Sequence, residues 1–152
     1  ACDVVESRLE LAKELGATHS INSKVTENVQ EYVRRLTGGL GTHYAIDCTG
    51  IGACVRQSLQ CTRSLGICVV LGATQELTIH VEEDLMGVGK TLVGLVEGCS
   101  IPKIFIPQLL DYYRKGMFPF DRLIQYYPFE EINQAFEDTK KGKVLKAVLC
   151  ME

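Results

Sequence analysis

Asp3 ends the short apolar lead of "ACDVVESRLELAKELGATHSIN" and stands just ahead of a helical pattern. A carboxylate at the end of a buried strand can accept both hydroxyls of an adenosine ribose while repelling a 2′-phosphate, which favours NAD over NADP. The same residue type also serves as an ordinary turn former after a strand, and both readings stand for an isolated Asp. Arg8, five residues on, is placed either beside the same ribose or as a solvated helix charge. Two further strand ends carry glycine, "DCTG" at 47–50 and "VVLGAT" at 69–74. Ligands of parallel sheets sit outside the carboxyl ends of the strands, and a glycine there lets backbone approach a ring or phosphate; turn glycines are also common for purely structural reasons.

Other chemistries find little support. "GIGACVR" offers Gly50 and Gly52 but no third glycine at the spacing of a dinucleotide phosphate turn, and it follows a later strand. No nucleophile elbow or Cys-His pairing is evident. His19, His43 and His80 lack partners at metal-ligand spacing. The seven cysteines contain no C-x-x-C pair, and most fall inside apolar runs, so reduced, buried thiols are expected.

The elements that must position these residues alternate. Ser7 and Glu10 read as a capping box opening a helix that Gly16 closes, followed by the short strand "THSIN". Val29, Tyr32, Val33 and Leu36 share one face of a second helix, stopped by Gly38-Gly39. "HYAIDCTG" reads as a strand. "GACVRQSLQCTRSLG" reads as a helix with Val55, Leu59 and Leu65 inward, and "ICVVLGA" as the next strand. "LTIHV" and "TLVGLVEG" are strand-like, with a short acidic turn or helix at 82–86 between them. Ser100 as N-cap and Pro102 start a helix with an inner stripe of Ile106, Leu109, Leu110 and Tyr113, which Pro107 is expected to bend. "LIQYY", a helix with Ile132, Ala135 and Phe136 inward, and "KAVLC" close the chain. Such alternation predicts an α/β fold, a doubly wound parallel sheet covered by helices.

Composition agrees with a globular domain. The chain has 152 residues, 46% hydrophobic and 23% charged, with a formal net charge of -3 and no basic face for a nucleic acid. Its apolar runs fall well short of a membrane span, and a cytoplasmic location is expected.

In order, "DVVESRLELAKELGATHSIN", "DCTG", "GICVVLGA", "LVGLVEGCSIP" and "FPFDRLIQYYPFEEINQAFEDTKKGKVLKAVL" resemble the C-terminal portion of zinc-dependent medium-chain alcohol dehydrogenases. The stretch "EGCSIPKIFIPQLLDYYRKGMFPFDRLIQYYPF" looks most like the aryl-alcohol (benzyl-alcohol) branch. The resemblance implies that residues 1–152 form a partial NAD-binding (Rossmann) domain with a C-terminal extension. The first, central strand, its glycine-rich turn and the zinc-bearing catalytic domain would then lie upstream, so that the strands ending at Asp3 and Cys48 have no neighbour between them. It implies NAD as cofactor, with zinc bound only in the upstream domain. Asp3 and Arg8 would hold the adenosine ribose, and Thr49 and Gly50 would flank the adenine. Leu71, Gly72, Leu95 and Glu97 would hold the nicotinamide through their backbone, and Lys146 would face the diphosphate where relatives often carry Arg. The strand 91–97 would pair across a homo-oligomer axis. The implied activity is oxidation of a primary, aromatic alcohol, with this chain inactive alone. A non-catalytic dimerisation partner is one alternative. A methyltransferase is another, disfavoured by the strands after Gly72 and the final helix-strand pair.

Overall fold

A computed structural model describes residues 1–151, which divide into two units, Ala1–Cys99 and the residues from Ser100 onward. In the first unit, β1 (Cys2–Asp3) and β2 (Ile21–Asn22) flank α1 (Glu6–Glu14), and α2 (Val29–Leu36) leads to β3 (Thr42–Asp47). Then come α3 (Gly52–Cys61), β4 (Thr62–Val70) and β5 (Thr91–Gly94). β1 pairs with β2, and β3, β4 and β5 form a separate sheet in that order; every pairing is parallel. The expected gap is therefore present: β1 and β3 each have one strand partner, and they belong to different sheets.

Parallel pairing requires crossovers, and the helices supply them. α3 is the best packed, with Val55 and Leu59 fully buried beside Cys68 of β4. A smaller cluster joins Ile21, Val29 and Cys61, with Tyr32 and Val33 packed on it, so the helical face read from residues 29–36 does turn inward. α2 begins at Asn28, whose Oδ1 accepts from the Glu31 amide at 2.9 Å.

Several sequence expectations need correction. Ser7 does not cap α1: the cap position is Val5, which makes no side-chain cap bond, and the Asp3 carboxylate holds the amides of Val4 and Val5 just ahead of the helix. α3 stops at Cys61, not Gly66, and the chain passes directly into β4. The Thr62 hydroxyl donates back to Ser58 O at 2.9 Å, and the β3 register jumps from Thr42↔Thr62 to Tyr44↔Ile67, leaving residues 63–66 as a bulge. Leu65, expected inward, has φ 61° and is 82% exposed there. "LTIHV" is not a strand: residues 71–80 are irregular, leading into one wide helical turn at Val81–Met86. Only Cys61 and Cys68 of the seven thiols are buried; burial holds both unionised, their pKa values pushed up to about 11.

The second unit contains α4 (Pro102–Arg114), β6 (Ile124–Pro128), α5 (Ile132–Lys140) and β7 (Lys146–Cys150), with β6 and β7 parallel. Ile101 rather than Ser100 occupies the N-cap of α4, and Pro107 lies within it without interrupting it. The expected inner stripe of α4 is not buried, and Phe136 of α5, also expected inward, is 68% exposed; Ala135 is the buried residue of that helix.

Candidate functional site

The carboxyl ends of β3 and β4 meet through one residue. Asp47, the last residue of β3, is 3% exposed, and its Oδ1 accepts from the Thr49 amide at 3.0 Å and the Thr49 hydroxyl at 2.9 Å. Thr49 Oγ1 in turn accepts from the Ile51 amide at 3.1 Å, which fixes the turn ahead of α3. The backbone carbonyl of Asp47 receives the amides of Leu71 (2.8 Å) and Gly72 (3.2 Å) from the end of β4. One residue thus holds both glycine turns, with its side chain spent on the first and its carbonyl on the second.

Contact between these turns depends on missing side chains. A Cβ on Gly72 would stand 2.2 Å from the Gly50 nitrogen, and one on Gly50 would stand 3.1 Å from Ala73 O. Gly50 also has φ 72°. On the other side, the Leu95 amide donates to Val70 O at 3.1 Å, bringing Leu95 beside the start of the same turn. Glu97 follows with φ 51° in a turn closed by Cys99 N to Val96 O at 2.8 Å. The structure therefore brings Thr49, Gly50, Leu71, Gly72 and Leu95 to one edge of the three-stranded sheet.

Asp3 occupies the equivalent position on β1. Its Oδ1 accepts from the Val4 amide at 2.7 Å and the Val5 amide at 2.9 Å. Its Oδ2 faces Arg8 Nη1 at 3.8 Å, an ion pair too long for a hydrogen bond, with the two side chains about a third exposed. Arg8 Nε is buried without a hydrogen-bond partner. The turn-former and ligand readings of Asp3 are thus compatible: one oxygen organises the turn, and the other, held only by the long Arg8 ion pair, belongs to a side chain about a third exposed. Lys146 opens β7 in the second unit, opposite Ile124 of β6.

Two buried groups escaped the sequence reading. Asp47 lay within a noted turn, but nothing local signalled that it would link two strand ends. Asp84, 3% exposed, sits in an acidic run that reads as solvated, yet its partners are Arg56 and Gln60 of α3.

Comparisons with known proteins bear on the site. The family model described as zinc-binding dehydrogenase matches residues 1–111. Geraniol dehydrogenase of Castellaniella defragrans is 37% identical over 145 residues, 94% of this chain and 39% of that protein. The crystal structure of benzyl alcohol dehydrogenase from Acinetobacter calcoaceticus superposes with a TM-score of 0.94 at 43% identity, covering 100% of this chain and 42% of that one. An alcohol dehydrogenase zinc-binding domain protein from Burkholderia ambifaria gives 0.93 at 44%, covering 100% and 41%. The chain spans about two fifths of the length of each of these relatives.

Proposed function

Because the chain belongs to the zinc-binding dehydrogenase family, we infer that it is the cofactor-holding part of an NAD-dependent alcohol dehydrogenase acting on a primary, aromatic alcohol. The aromatic preference is suggested by the likeness to a benzyl alcohol dehydrogenase. The observation that carries the cofactor reading is the meeting of two parallel-strand ends at the carboxyl edge of the sheet, where Gly50 and Gly72 let the two turns pack backbone to backbone. NAD, when bound, accepts the hydride from the alcohol carbon.

Each residue has a task in binding. Asp3 Oδ2 takes the ribose hydroxyls of the adenosine, and the Arg8 guanidinium, ion-paired to it through Nη1, lies beside the same ribose. Thr49 and Gly50 flank the adenine. Leu71, Gly72, Leu95 and Glu97 offer backbone groups to the nicotinamide carboxamide. Lys146 gives the diphosphate a point charge without the fork of an Arg. Among the described residues no group of three or more His, Cys, Asp or Glu could hold a metal, so no step is assigned to a metal held by this chain. No helix among them is long and apolar enough to cross a membrane. β5 ends its sheet with one edge unpaired, and a second copy of the chain would extend the sheet there, through residues 91–97.

The test is direct. With benzyl alcohol and NAD, the chain alone should form no NADH, and calorimetry should find NADH held no more tightly than about millimolar, since no glycine-rich phosphate turn occurs in it. Turnover by the isolated chain would overturn the assignment of catalysis to residues outside it. The free edge of β5 favours a second reading, a non-catalytic dimerisation partner. Co-purification with a full-length relative, lost when Leu92, whose amide alternates toward the free edge, is replaced by Pro, would support it.

A further inference from the structure

The crossover from β4 to β5 is tied at its two ends and little in between. At the near end, Leu71 and Gly72 donate to Asp47 O. From Ala73 to Ile79 no backbone amide among the described residues donates to the protein; the Thr74 hydroxyl bonds only to Gly72 O at 3.1 Å. The next anchored amide is His80, which donates to Asp84 Oδ2 at 2.9 Å. Asp84 is in turn fixed to α3: Arg56 Nε donates to Oδ2 at 2.9 Å and Gln60 Nε2 to Oδ1 at 3.0 Å. Midway, the strap lies against α3 where Gly52 lacks a side chain; a Cβ there would stand 2.2 Å from Glu76 O and 3.5 Å from Leu77 Cα.

We infer that Asp84 is a positioning residue that holds the strap 73–79 against Gly52, and so keeps the Leu71–Ala73 turn seated on Gly50. Its importance for the nicotinamide rests on the cofactor reading above; its importance for the strap does not. Three donors converge on two carboxylate oxygens, an arrangement a carboxylate satisfies completely. An Asn there would turn an NH₂ group toward at least one of those donors, and a buried carboxylate deprived of Arg56 would lose the cation bonded to it.

The experiment is NMR on the whole chain, comparing wild type, D84N and R56M, the latter kept in case D84N fails to fold. In the wild type, Gly52 and Leu77 α-protons should show a nuclear Overhauser contact, and the His80 amide should be protected. In D84N, and to a lesser degree in R56M, that contact should fade and His80 exchange should rise about tenfold or more, while the β3–β4 ladder amides at 44–47 and 67–70 keep their protection. Persistence of the Gly52–Leu77 contact and of His80 protection in both variants would overturn the inference. So would equal loss of protection throughout the ladder, which marks a general stabilising role. Millimolar NADH separates the two readings. Wild-type shifts at Gly72 and Ala73 that weaken in the variants support the positioning of the cofactor turn. If the wild type shows none, the cofactor reading fails, and the exchange data still decide the strap.

Discussion

Asp3 and Asp47 have the same side chain at the same place, the last residue of a parallel strand, and each folds an oxygen back onto the turn that follows it. They differ in what remains. Asp47 is buried, and its Oδ1 and backbone carbonyl are committed to Thr49, Leu71 and Gly72. Asp3 is partly exposed, with Oδ2 beside a distant guanidinium and an unpartnered Nε. The difference teaches that position at a strand end does not decide whether an acid is structural or ligand-facing. What separates the two is exposure, 3% for Asp47 against about a third for the Asp3 side chain, and that depends on residues far away in the chain.

Breaking the buried side of this pair should have the larger effect. Gly72→Ala puts a methyl 2.2 Å from backbone, and we expect a loss of about 3 kcal/mol or more in urea unfolding, with the Gly50 and Ala73 resonances displaced. Asp47→Ala removes the acceptor of two Thr49 donors in a buried place and should cost about 2 kcal/mol, measured in the same way. A Thr49→Val variant, which abolishes only the hydroxyl bond, should fall short of that.

Asp84 adds a third case, its carboxylate spent on two side chains and one backbone amide, and measurable through pH. Desolvation alone would raise its pKa, but the bonds from the His80 amide, Gln60 and Arg56 outweigh it and hold the carboxyl below its ordinary value. A depressed folded pKa gives stability that is present above the unfolded value, near 3.9, and is lost as pH falls through the folded value. Unfolding free energy should therefore hold steady from neutral pH to about 4 and decline below it, with a shallower decline in D84N.

The exposed side should show the smallest effect on folding. In Asp3→Ser, the hydroxyl can still accept from the Val4 or Val5 amide, so stability should change by less than about 1 kcal/mol. Ligand discrimination should change instead, because the free oxygen and its charge are gone.

How far the sequence shows all this varies by element. The inner face of α2 was legible because Val29, Tyr32 and Val33 repeat at helical spacing and pack on a local cluster. The end of α3 was not, because no Gly or Pro stands between Gly52 and Gly66; the Thr62 hydroxyl and the jump in register accompany a helix that stops at Cys61. Ser7 and Ser100 look like caps by type, yet Asp3 and Ile101 hold or precede the helix starts. For the site, Asp3 and the glycine turns were readable from type and place. Asp84 was not, since its partners lie 24 and 28 residues away. The inward reading of α4 and Phe136 rested on periodicity alone, which says which residues share a face but not what covers it.

The most direct test of the account is an amide-resolved NMR titration of the chain with NADH and, separately, NADPH at millimolar concentration. The account predicts shifts centred on residues 3–8, 49–50, 71–73, 95–97 and 146, larger for NADH, with the preference for NADH abolished in Asp3→Ser. Equal responses to the two nucleotides in the wild type, or shifts that avoid both Asp3 and the Gly50–Gly72 meeting point, would contradict it.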